Sequence, residues 1–184
     1  MRYLSFSFLI AATLSTSASA QMSAEMMAKM ATDPVAQTTR IMFEQHARNM
    51  ISAAESMPAE KYNFHPTEAQ MTFGKLIAHI AQTNEFICSA IGGTIKEPPA
   101  TPTEQDSKEI LVKAMKDSFD HCSAALEKLT DAQAREMIDM RGQKVPRVYF
   151  MMTLVADWAD HYSTEASYLR LNGILPPSAR QPGR

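Results

Sequence analysis

The sequence has little of what usually announces a function. Only two of its 184 residues are cysteine, so a disulfide-rich scaffold and a four-cysteine metal cluster are both excluded. Lys and Arg number 18 against 20 Asp and Glu, and no basic tract stands out. The electrostatic footprint of a nucleic-acid binder is therefore missing. Beyond the N-terminus there is no second apolar run, which argues against a membrane span. Internal repeats, low-complexity tracts and strand-like alternation are also absent. No motif declares a general base or a nucleophile.

What is present begins with a targeting signal. Arg2 supplies a short positive start, Leu4 to Leu14 an apolar run interrupted by serines, and Ala18-Ser19-Ala20 the small residues of a cleavage site. The run is too short to span a bilayer comfortably. Cleavage after Ala20 is expected, with residues 1–20 as signal peptide, residues 21–184 as one domain, and a periplasmic or secreted location. Removing Arg2 leaves the mature chain slightly more acidic.

The rest reads as all-α. Gln21 to Asp33 is Met-rich and suits a short lead-in helix. Asp33-Pro34 signals a first long helix to about Ser56, with Val35, Met42, Met50, Ala53 and Met57 on one face. Pro58 ends it, and Tyr62-x-Phe64-x-Pro66 reads as an extended connection with aromatics turned inward. Thr72 caps a second helix, with Phe73, Leu76, Ile77, Ile80, Ile87 and Ile91 on its face, stopped at Gly92-Gly93. Ser107 caps a third, faced by Ile110, Leu111, Met115, Cys122, Leu126 and Leu129. Thr130 to Gln133 is a capping-box pattern that predicts a short helix to about Ile138, followed by a turn at Arg141-Gly142.

The fourth helix, Pro146 to Gly173, is the longest, roughly 26 residues or about 39 Å. Val148, Met151, Met152, Val155, Trp158, Ala159, Tyr162, Ala166 and Leu169 recur along it at spacings of three and four. The 14 methionines suggest an adaptable core or apolar pocket.

The connection from Gly92 to Asp106 reaches up to roughly 50 Å when extended, far more than a helical hairpin needs. It lets the chain cross the molecule and start the third helix beside the start of the second. The expected architecture is a four-helix bundle, up-down-down-up. Cys88 and Cys122 fall at nearly equal heights above Thr72 and Ser107, as a disulfide between parallel helices requires. Two buried free thiols are the alternative.

One constellation carries chemistry. Asp157 and His161 stand at i and i+4, neighbours that reach the same point. With His79 on the second helix they offer two nitrogens and a carboxylate, leaving open positions on a metal for water or substrate. The plainer readings are a hydrogen-bonded packing histidine at 79 and a surface ion pair between Asp157 and His161.

Three stretches resemble the DinB/YfiT-like family: Tyr62-x-Phe64-x-Pro66, the run MTFGKLIAHI from Met71 to Ile80, and HYSTEASYLRLNGILPP from His161 to Pro177. The last is the most specific, through His161-Tyr162 and then Tyr168-Leu169-Arg170-Leu171-x-Gly173-x-x-Pro176-Pro177. The resemblance covers essentially the whole mature chain. It implies a four-helix bundle with a long connection between helices two and three. It also implies a divalent metal held by one histidine on helix two and a His-x-x-x-His pair on helix four. By position these are His79, residue 157 and His161.

Here position 157 is Asp, which alters the metal preference or weakens the site. The family's usual glycine two residues after the second histidine is Ser163, and Glu165 replaces an apolar residue. Glu165, four residues after His161, is read as a substitute ligand, a partner that orients His161, or a surface acid. His46 fits core packing better than a fourth ligand, and His65 and His121 look structural or exposed.

The expected function is an exported divalent-metal-binding protein, with zinc, nickel or iron as the cofactor. A small-molecule substrate follows if it works as a metal-dependent thiol transferase, as some relatives do. Export counts against that activity, because such thiols act mainly in the cytoplasm. The alternative is a non-catalytic binding bundle with a degenerate metal site. A homodimer is compatible with either. Mass spectrometry of the exported protein is expected to find Gln21 first. An intact Met1 in that material would overturn the export reading.

Overall fold

The computed structural model describes residues 24–95 and 102–180. The expected signal peptide, residues 1–20, lies outside the described residues, as do Pro98 and Pro99 of the long connection. The described chain is mostly helical, with one small sheet. Its elements are α1 (Ala24–Thr32), α2 (Pro34–Ser56), α3 (Phe73–Ile91), α4 (Lys108–Glu127), α5 (Asp131–Ala134), β1 (Met137–Met140), β2 (Gln143–Pro146) and α6 (Arg147–Leu171). Short 3-10 turns span Ala59–Lys61 and Pro177–Ala179. No helix among the described residues is long and apolar enough to cross a membrane.

Side-chain caps start α3, α4 and α5. Thr72, Ser107 and Thr130 each accept from the backbone N–H three residues on, and Gln133 completes the capping box at Thr130. Asp33 caps differently. Its carboxylate accepts from the Asp131 N–H at 2.7 Å, while Asp131 accepts from the N–H groups of Val35 and Ala36 at 3.2 and 2.8 Å. The starts of α2 and α5 therefore clasp each other, and the orphan donors of α2 are satisfied by a residue nearly a hundred positions away. At the other end of the chain, Gly173 takes a φ of 73° and the Ile174 N–H reaches the Leu169 carbonyl at 2.9 Å. This six-to-one closure terminates α6.

The helices pack in a defined sense. An added Cβ at Gly74 would stand 3.5 Å from Leu111, Asn84 bonds Ser118 at 3.1 Å, and Cys88 joins Cys122. Early residues meet early and late meet late, so α3 and α4 run in the same direction. Pairings between α3 and α6 run the other way: Trp158 meets Asn84, and Tyr168 meets Phe73. Arg40 of α2 donates to the carbonyls of Leu126 and Leu129 at the end of α4, while Lys108 at its start reaches Glu55 and Met57. Thus α2 and α4 are antiparallel.

Trp158 is fully buried at the centre, against Phe43 at 5.5 Å and Phe119 at 6.1 Å between ring centroids. Its indole N–H donates to the Asn84 side-chain oxygen at 2.8 Å. Asn84 in turn donates to Ser118, so one satisfied polar chain ties α6, α3 and α4. The Tyr62–Phe64 connection packs inward as its aromatics suggest: Tyr62 lies edge-on to Phe73 at 5.2 Å, and its hydroxyl donates to the Ala54 carbonyl. Gly74 is close enough to this connection that a Cβ would sit 3.2 Å from the Tyr62 oxygen.

Several expectations need correction. The short helix stops at Ala134, not Ile138, and an antiparallel hairpin follows where no strand was expected. Each strand has four residues and only Ile138 is fully inward, too short a pattern for alternation to register. Arg141 and Gly142 both have positive φ, 53° and 86°, which matches the twist of the paired strands. Pro146 closes β2 and precedes α6 as its N-cap instead of occupying its first turn. Ile110 and Met152 sit on the outside, about half exposed.

The disulfide closes a loop of 34 residues. On the chain-entropy argument its loss costs about 4 kcal/mol. Guanidinium unfolding of the oxidised protein and of a Cys88→Ser, Cys122→Ser variant is expected to differ by that order. A difference under about 1 kcal/mol would mean the bond adds little to the packing of α3 on α4.

Candidate metal centre

The lock between Asn84 and Trp158 sets the register of α6 against α3. One turn further along α6, and just over one turn back along α3, that register brings His161 to His79. Their rings meet edge-on, with centroids 5.0 Å apart. His161 is buried and His79 half-buried. Asp157, one turn before His161, places Oδ1 3.3 Å from His161 Nε2. That is ion-pair range, yet the two groups are not aligned as a hydrogen bond, and Nε2 has no hydrogen-bond partner. The other ring nitrogen, Nδ1, lies 3.6 Å from the exposed carboxylate of Asp160.

A buried imidazole nitrogen without a partner is costly, and it is the kind of donor a cation would satisfy. On that test the residues fit a divalent metal. Burial, then repulsion from His161, lowers the pKa of His79, while the Asp157 charge opposes the shift. His79 is thereby held neutral, the form that ligates. The encounters are pairwise, however: among the described residues no three His, Cys, Asp or Glu side chains already surround one point.

The remaining histidines lie elsewhere. His46 packs against Trp158, ring centroids 6.2 Å apart, with its buried Nδ1 unpartnered and burial lowering its pKa. His65 bonds the Thr67 carbonyl, and His121 lies 3.3 Å from the Ser89 hydroxyl.

Glu165 is not a surface acid. It is fully buried, and neither carboxylate oxygen has a hydrogen-bond partner. Burial pushes its carboxyl well above the ordinary range, so it is held protonated. The sequence carried a signal for this, since Glu165 is seven residues from Trp158 and shares its face. Burial above all also pushes the Tyr62 hydroxyl up.

Residues 42–163 match the family model of the DinB superfamily, a span that contains His79, Asp157 and His161 and ends before Glu165. The chain belongs to the DinB superfamily. Among solved structures it is similar to a DinB-like protein from Bacillus subtilis, at 22% identity and a TM-score of 0.65, covering 79% of this chain and 99% of that one. A DinB-like protein from Bacillus cereus is similar at 21% identity and a TM-score of 0.58, covering 73% and 93%. A mutant of a mycothiol-dependent maleylpyruvate isomerase is similar at 13% identity and 0.58, covering 70% and 59%. At these identities the likeness is one of fold. No curated protein matches the sequence.

The sign of the Glu165 effect follows from its raised folded-state pKa. Stability is fully present below the ordinary carboxylate range. It falls as pH rises, because the unfolded chain releases a proton that the fold retains. The slope is about 1.4 kcal/mol per pH unit while Glu165 stays protonated. Glu165→Gln is therefore expected to gain on the parent between about pH 5 and 7, read by urea unfolding at several pH values. Parallel pH curves for the two proteins would show that Glu165 is paired or ionised in the fold.

Proposed function

We propose that this chain is an exported divalent-metal-binding member of the DinB superfamily, its four long helices arranged as an up-down-down-up bundle and its metal held by His79, Asp157 and His161. The observation that carries the reading is the buried, unpartnered Nε2 of His161, with the Asp157 carboxylate near it and the His79 ring against the His161 ring. The pairing senses of α3 with α4, α3 with α6 and α2 with α4 support the bundle order. The cysteine pair suits an oxidising compartment.

A cation bound there would supply Lewis-acid activation, lowering the pKa of a thiol or water at its open position. The protein's residues would do the rest. His79 and His161 present ring nitrogens from two antiparallel helices. Asp157 contributes charge. The apolar core behind His161 excludes water. No side chain stands out as a nucleophile, so a thiol transferase is the activity class that fits, with the thiol brought in from outside. The mycothiol dependence of the isomerase that shares the fold is consistent with this class. A second reading, a bundle that kept the fold and lost the metal, is favoured by the pairwise encounters of the three donors and by Asp157 in place of a histidine.

Metal analysis and calorimetry separate the two. The parent, purified without chelators, is expected to hold close to one divalent ion per chain, and His79→Ala or His161→Ala to lose it. Asp157→Ala should weaken binding severely, and Asp157→His should tighten zinc or nickel, for which imidazole is a good donor. Little metal in the parent, with a gain only in Asp157→His, would establish the relic reading. Stoichiometric metal that survives Asp157→Ala unchanged would remove Asp157 from the ligand set.

A further inference from the structure

Beside His79 a cleft of about 320 Å³ opens between α3, the hairpin and the start of α6. Its walls are Phe86, Ile87, Met140, Tyr149 and Phe150, with Gln82, Thr83 and Thr153 as uncharged polar groups. A second hollow of about 500 Å³ shares Phe86 and Met140 with it and extends to Arg141 and Gln143 at the hairpin tip. The two adjoin at Phe86 and Met140 to make an apolar trough, with His79 lining the first part and Arg141 the second. Arg141 is the only Lys, Arg, Asp or Glu lining either part.

Arg141 has two unusual properties. Its backbone is in the left-handed region, at a turn position where Asn, Asp or Gly is preferred and a long side chain is disfavoured. Its guanidinium also gains nothing visible in return. The nearby Asp139 carboxylate accepts from the Gly142 N–H at 2.8 Å and forms no ion pair with Arg141. Among the described residues Arg141 forms no ion pair. A strained residue with a free, permanent charge at the mouth of an apolar trough marks a place where the charge is used on something else.

We propose that this trough binds a small organic carboxylate with an apolar body, the carboxylate on Arg141 and the body along Phe86 and Met140 toward His79. A guanidinium matches a carboxylate with two parallel N–H donors, and fixed aromatic walls suit a flat or branched hydrocarbon. That such a ligand is a substrate rests on the metal reading above, because the trough ends at His79. The binding itself does not.

The test uses 4-phenylbutyrate and its neutral amide, titrated by calorimetry into chelator-treated and zinc-supplemented protein. The acid is expected to bind one-to-one in both, at least tenfold tighter than the amide. Arg141→Gln should weaken the acid about tenfold and leave the amide unchanged, and Thr153→Trp should block both. Arg141→Gly should raise the melting temperature while weakening the acid, since glycine relieves the turn. Equal affinity for acid and amide, an Arg141→Gln variant that binds the acid normally, or no saturable binding at all would each overturn the proposal. Protein that takes no zinc but binds the acid through Arg141 would sink the metal reading and leave the trough standing.

Discussion

The side-chain amide of Asn84 fixes where everything else in the interior can be. It sits at zero exposure, accepts from the Trp158 indole and donates to the Ser118 hydroxyl. A buried amide tolerates few arrangements, because each unmade bond carries a desolvation cost of about 1–3 kcal/mol. Sliding α6 by one turn would strand both Asn84 and Trp158. Apolar contacts alone would resist that slide weakly, since leucines and methionines interchange partners readily. The amide therefore supplies the register. The meeting of His161 with His79, about one turn from Trp158 on α6 and just over one turn from Asn84 on α3, is a consequence of it.

Most of the helical frame was legible because its signals are local and redundant. Thr72, Ser107 and Thr130 each combine a capping side chain with an apolar period beginning just after it, and each caps as expected. The hairpin was illegible for the opposite reason. Its strands are shorter than the window in which alternation can be counted, and Thr130-x-x-Gln133 directed the reading toward a longer helix. Ile110 and Met152 show the limit of periodicity itself. Both lie at the margin of an apolar stripe, where a small rotation of the helix decides between core and solvent. His79, Asp157 and His161 were found through helical spacing and family resemblance, and the fold brings the two histidines and the carboxylate into pairwise range. The trough was not found, because its walls come from α3, a hairpin unseen in the sequence and the first turns of α6. No stretch of sequence contains it.

Glu165 and His161 place two awkward groups on successive turns of one helix. His161 has a ring nitrogen without a partner, and Glu165 has two oxygens without one. A core selected only for stability would hold apolar residues at both positions, since an unpaired buried polar group is worse than none. The polarity on this face of α6 therefore runs against the packing around it, and His46 on α2, whose buried Nδ1 also lacks a partner, adds to it. Such a local conflict is what a site superimposed on a stable frame produces.

The Cys88–Cys122 bond, which joins two parallel helices, also has a chemical meaning. These are the only two cysteines in the chain, and both sulfurs are consumed in it. The folded protein consequently carries no thiol of its own. A soft cation has no thiolate here to draw it away from the imidazoles, and an oxidant has no cysteine to convert. In any sulfur chemistry performed at His79 and His161, the sulfur belongs to a visiting molecule.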